Sequence, residues 1–122
     1  MKKFAIALLT VLSLGILTAC GPGAGGGGGA AGEPITVQMG PGFKFEPATL
    51  ELEAGKQYAI TVNNVDTQAH NFVIEGTNVR TANVAGGKSA TISYTPAASG
   101  TVTFICDVPG HSAQMRGTIN VR

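Results

Sequence analysis

Residues 106 to 115, CDVPGHSAQM, place a cysteine, a histidine and a methionine in one short stretch at the spacing C-x4-H-x3-M. These are Cys106, His111 and Met115. The chain holds only two cysteines and two histidines, so this stretch takes one of each. The other histidine, His70, lies well upstream in AHNF, residues 69 to 72. A thiolate and a thioether are soft donors that favour Cu(I), whereas imidazole accepts either oxidation state. A donor set between those preferences lets a metal change charge with little ligand movement, which is the condition for fast one-electron transfer. Zinc is the chemical rival, but structural zinc sites are closed by Cys and His, and Met is a poor ligand for it.

Each of these residues alone has an ordinary reading. His70 could be a loop histidine, Met115 a core gap-filler and Cys106 a small buried hydrophobe. Their joint occurrence in this order matches the trigonal His2Cys site with a weak axial Met of blue copper centres. The set therefore points to one type 1 copper per chain, with His70, Cys106, His111 and Met115 as the metal residues.

The elements that must position them can be read from the texture after Glu33. Short runs with alternating or β-branched character recur between glycine, proline and asparagine turns. They predict strands at 35–39, 49–53, 57–63, 71–75, 90–94, 101–106 and 116–121. Cys106 ends one predicted strand and Met115 immediately precedes another, so the loop bridges two strands at one end of the domain. No stretch after residue 33 sustains a helical apolar period over three turns. Strands this short and this regularly spaced predict an all-β, antiparallel sandwich with one core. Phe43, Phe45, Phe72 and Phe104 are expected in that core, and Asp107 is expected to be a solvated loop charge.

Residues 106–117, CDVPGHSAQMRG, closely resemble the copper loop of azurin-like cupredoxins. FKFEPATLELEAG (43–55), the asparagines at 63 and 64, and AHNF (69–72) resemble the general plastocyanin/azurin pattern. The resemblance covers roughly residues 35 to 122 and implies a Greek-key, cupredoxin-like β-sandwich of about seven to eight strands. It implies His70, Cys106 and His111 as equatorial ligands and Met115 as the axial one. It further implies Asn71 as a hydrogen-bonding support near Cys106, and the Val108 backbone N–H as a donor to the Cys106 sulfur. Pro109 has no N–H to offer, and the Ala69 carbonyl would be a distant fifth contact. The chain departs from azurins in having neither a disulfide nor room for their helical flap between His70 and Cys106. The body is closer to a minimal plastocyanin- or amicyanin-like sandwich carrying an azurin-type loop.

The N-terminal part carries different information. Met1-Lys2-Lys3 followed by the apolar run 4–19 reads as a secretory signal. Its end, Leu17-Thr18-Ala19-Cys20, is similar to the lipobox of bacterial lipoproteins, in which the cysteine is lipidated. Residues 1–19 are thus expected to be a lipoprotein-type signal peptide. Residues 20–33 form a lipid-anchored cysteine with a glycine-rich linker, and residues 34–122 form the domain. The linker segment 21–32, GPGAGGGGGAAG, is a flexible tether with a root-mean-square span of about 19 Å. With Cys20 lipidated, Cys106 has no disulfide partner in the chain, and a metal would occupy its thiol.

Without residues 1–19 the chain has 6 basic against 7 acidic residues, a net charge of −1. It has no basic stripe, so nucleic acid is not an expected partner. Membrane attachment would come from acyl chains on Cys20. An enzyme with further copper centres would need more than two histidines. A copper delivery protein is the alternative, but such proteins present Met- or His-rich clusters, and only three methionines are present, Met1 included. The expected function is therefore an exported, monomeric electron-transfer protein, lipid-anchored in the periplasm or at the cell surface. Redox proteins would dock briefly where the His111 edge emerges, beside Val108, Pro109, Ala113, Met39 and Pro41.

Overall fold

The structure is a computed structural model that describes residues 31–122. The expected signal peptide, Cys20 and most of the glycine-rich linker lie outside the described residues.

Among the described residues eight strands follow one another: β1 (Glu33–Gly40), β2 (Lys44–Glu46), β3 (Thr49–Leu52), β4 (Tyr58–Asn64), β5 (Val73–Ile74), β6 (Ser89–Tyr94), β7 (Gly100–Ile105) and β8 (Arg116–Val121). They form two four-stranded sheets with the orders β2-β1-β4-β6 and β3-β8-β7-β5. Alternation sets the faces. In β1, Val37 and Met39 are buried while Thr36 and Gln38 are exposed. In β3, Leu50 and Leu52 point inward and Thr49 and Glu51 outward.

The sandwich is all-β, but its sheets are mixed rather than purely antiparallel. β1 runs parallel to β4, from the pair Glu33–Tyr58 to Met39–Asn64, and β3 runs parallel to β8. The reason is the path of the chain. After β1 it turns back through β2, crosses to the other sheet as β3 and returns as β4 in the direction of β1. Hairpin logic applies only to neighbours joined by a tight turn. β5 is also shorter than the predicted 71–75. The residues before it are used otherwise: His70 bridges Val84, and Val73 bridges Arg80.

The core lies between the sheets. Phe45, Phe72 and Phe104 form an aromatic cluster with centroids 4.8–5.7 Å apart, packed with Val37, Ile60, Val62, Ile74 and Ile119. Gly117 in β8 makes room for it. A Cβ there would come within 2.6 Å of the Ala48 carbonyl and would run into the Phe104 ring.

Phe43 is not part of this cluster. It is half-buried, has a left-handed backbone with φ 58°, and lies against the two histidines described next.

Candidate metal centre

The sandwich brings two segments together at one end. Cys106 directly follows β7, which is central in its sheet, and Met115 directly precedes β8. The loop between them is closed at its base by the Cys106 N–H donating to the Met115 carbonyl at 3.0 Å. Inside it, the His111 N–H donates to the Val108 carbonyl, and the amides of Gln114 and Met115 donate to the His111 carbonyl. The loop is thus a set of tight turns that aims the His111 ring inward. From the other side, His70 is held by two backbone bonds with Val84, at 3.1 and 2.7 Å.

These frames place three donor atoms around one point. His70 Nδ1 lies 3.1 Å from His111 Nδ1, and the Cys106 Sγ lies 3.9 Å from the first and 3.6 Å from the second. His70 and Cys106 are fully buried, His111 is 8% exposed and Met115 is fully buried. A point equidistant from the three atoms is about 2.1 Å from each, the bond length of a first-row metal to imidazole nitrogen. With Nδ1 of both rings unprotonated, two imidazole lone pairs and the sulfur face one point in an apolar interior, an arrangement that a bound cation would satisfy. The donor set fits copper better than zinc, because the site combines one thiolate, two imidazoles and a neighbouring thioether.

The supports differ in part from expectation. Asn71 is buried and its backbone N–H donates to the Cys106 sulfur at 3.4 Å. Among the described residues this is the N–H directed at the sulfur. Val108, expected in that role, instead gives its carbonyl to the His111 turn. The Asn71 side chain ties the two segments together: Nδ2 donates to Asp107 Oδ1 at 2.5 Å, and Oδ1 accepts the Asp107 N–H at 2.9 Å.

Asp107 is therefore not a free loop charge, as the sequence suggested. It also accepts from Arg80, at 3.0 and 2.9 Å. The Asn71 hydrogen bond first, and the Arg80 charge after it, hold its carboxyl below the ordinary value.

Three further residues were not singled out for the site by the sequence. Phe43 packs edgewise on His111 with centroids 4.7 Å apart, and on His70 at 6.2 Å. Its signal, a bulky residue after Pro41-Gly42, is too weak to read as a left-handed turn. Asp66 reaches His70 Nε2 at 2.8 Å; a carboxylate four positions before a ligand histidine was available as a hint. Arg80 has no local signal, because its partner Asp107 is distant in sequence. Met39, proposed for an exposed patch, is instead fully buried.

Comparison with known proteins places this geometry. The pattern of the cupredoxin-like domain family matches residues 7–121. No curated protein sequence matches the chain. Among solved structures, auracyanin A, a blue copper protein from Chloroflexus aurantiacus, is 22% identical with a TM-score of 0.65 and covers 73% of this chain and 99% of its own. A dithionite-reduced auracyanin from Roseiflexus castenholzii is 23% identical with a TM-score of 0.68, covering 76% and 99%. The azurin Az-iso2 of Methylomonas sp. strain J is 17% identical with a TM-score of 0.65, covering 75% and 99%. At such identities the likeness is one of fold. Within that fold His70, Cys106, His111 and Met115 are arranged as a type 1 copper site. With nearly its whole length matched by the family pattern, the chain belongs to the cupredoxin-like domain family.

Proposed function

We propose that this protein is a one-electron carrier, held by lipid on Cys20 at the outer face of a membrane and shuttling between redox proteins. The observation that carries the reading is the convergence of two imidazole nitrogens and a sulfur within 3.1–3.9 Å, on backbone frames that are already closed. Bound copper supplies a Cu(II)/Cu(I) couple at that point. His70, Cys106 and Met115 keep water away by their burial. The loop turns and the Asn71–Asp107 clasp resist movement when the charge changes.

His111 is the ligand that reaches the surface, so its ring edge is the exit for an electron. Of the residues expected to flank it, Pro41, Pro109 and Ala113 are exposed and Val108 is half-buried. A small patch of this kind suits brief encounters rather than a lasting complex. Among the described residues no helix is long and apolar enough to cross a membrane. The lipobox-like Leu17-Thr18-Ala19-Cys20 and the glycine-rich segment after it support a tether instead. Burial of the donors favours retained copper over delivery.

Repeated reduction with ascorbate and reoxidation with ferricyanide, in the presence of a Cu(I) chelator, tests this. A carrier keeps its copper and its colour through many cycles. Loss of copper to the chelator at the first reduction would replace the carrier by a delivery protein.

A further inference from the structure

The connection from β4 to His70 holds a carboxylate whose two oxygens have separate partners. Asp66 Oδ1 accepts the amides of Thr67 and Gln68, at 2.6 and 3.5 Å, and so fixes its own turn. Asp66 Oδ2 lies 2.8 Å from His70 Nε2. The turn is anchored from beneath by Asn64, 2% exposed. Asn64 Nδ2 donates to the carbonyls of Gln68 and Val84, at 2.7 and 2.8 Å, while its Oδ1 accepts the Asp66 amide at 2.9 Å. Gly86 closes the other side, where a Cβ would meet the Asp66 and Thr67 carbonyls at 2.6 and 2.9 Å. Val84, which receives Asn64, is also the residue that pairs with His70. Carboxylate and imidazole are therefore bound to one rigid frame.

An ionised carboxylate only accepts hydrogen bonds. Contact with Asp66 therefore puts the His70 proton on Nε2 and leaves the Nδ1 lone pair facing Cys106 Sγ and His111 Nδ1. The close side-chain partner of Asp66 is the His70 imidazole. Among the described residues no lysine or arginine lies within ion-pair distance of Asp66, in contrast to Asp107 with Arg80.

On the reading that His70 ligates copper, we propose that Asp66 is a positioning residue that holds His70 as the Nε2–H tautomer and, through its negative charge, favours Cu(II) over Cu(I). A carboxylate on the far nitrogen of a ligand histidine fixes the ring and raises its basicity. The more highly charged metal state gains more from both effects.

Two measurements test it. Nitrogen-15 NMR of the metal-free wild-type protein reads the imidazole tautomers directly. Protonated Nε2 and bare Nδ1 on His70 are expected; an Nδ1–H tautomer would overturn the proposal. The second uses Asp66→Asn, which keeps the shape but loses the charge. Its single amide oxygen cannot serve both the Thr67 amide and His70. Cu(II) affinity is expected to fall about 10- to 100-fold, with a smaller loss for Cu(I) and hence a raised reduction potential. An unchanged potential with only a lower melting temperature would reduce Asp66 to a loop support and overturn its electronic part. Failure of the copper reading itself shows differently, as a protein with the expected tautomer that takes up no copper.

Discussion

Asn71 reaches two segments of the site at once, and the consequences of removing it can be separated. Its backbone N–H donates to the Cys106 sulfur, whereas its side chain clasps Asp107 and donates to Asn83. Asn71→Ala leaves the Asp107 amide and carboxylate short of partners, and the metal-free protein is expected to lose about 1–3 kcal/mol. The thiolate-to-copper absorption should survive, since the backbone donor remains. Denaturant midpoints and the visible spectrum check the two halves.

Met115→Gln is expected to keep copper but lower the potential, because an oxygen donor favours Cu(II). An unchanged potential in voltammetry would count against Met115 as the axial ligand. The metal residues were legible because three of them share one loop and the fourth is the only other histidine. Of their supports, Asn71 was legible through the family resemblance and the rest were not. Asp66, Asp107 and Phe43 acquire their roles from which turn meets which, and residue type says little about that. Asp107 read as solvated because its partners Asn71 and Arg80 come from another part of the chain.

At the level of elements, Gly117 of β8 lies opposite Phe104 of the neighbouring β7, on the two strands that flank the ligand loop. Gly117→Ala puts a methyl group into the Phe104 ring and the Ala48 carbonyl. Overpacking of this kind costs about 1–3 kcal/mol. Because β8 starts directly after Met115, the change should also broaden the copper spectrum. A stability equal to wild type by urea denaturation would show that the Phe104 ring and the Ala48 carbonyl shift freely there.

The strands themselves could be read from alternation, and β8 matches its prediction of 116–121 residue for residue. Pairing could not. Periodicity says which face of a strand is buried but not which strand lies beside it, so the parallel pairs β1–β4 and β3–β8 stayed hidden. β2 was too short, at three residues, to stand out from the turn before it.

For the molecule as a whole, a buried site with its donors already converged links copper binding to folding stability. Copper is expected to bind the folded chain far better than the unfolded one, in which the donors are dispersed. The loaded protein should therefore be stabilised by about 4 kcal/mol when free copper is a thousand times its dissociation constant. Removing copper should lower the melting temperature without loss of the β-sheet signal in circular dichroism, because backbone bonds hold the loop and His70 independently of metal. Loss of that signal with the metal would mean that copper builds the site rather than fills it.

The most direct test of the blue copper assignment is spectroscopic. Cu(II) is added to the protein, and the visible and paramagnetic resonance spectra are recorded for wild type and Cys106→Ala. The expected result is an intense thiolate-to-copper absorption with narrow hyperfine splitting. It should bleach with ascorbate, return on oxidation and be missing in the variant. A colourless wild-type protein, or one whose copper gives the same spectrum with and without the Cys106 thiolate, would contradict the type 1 site and the electron-carrier reading built on it.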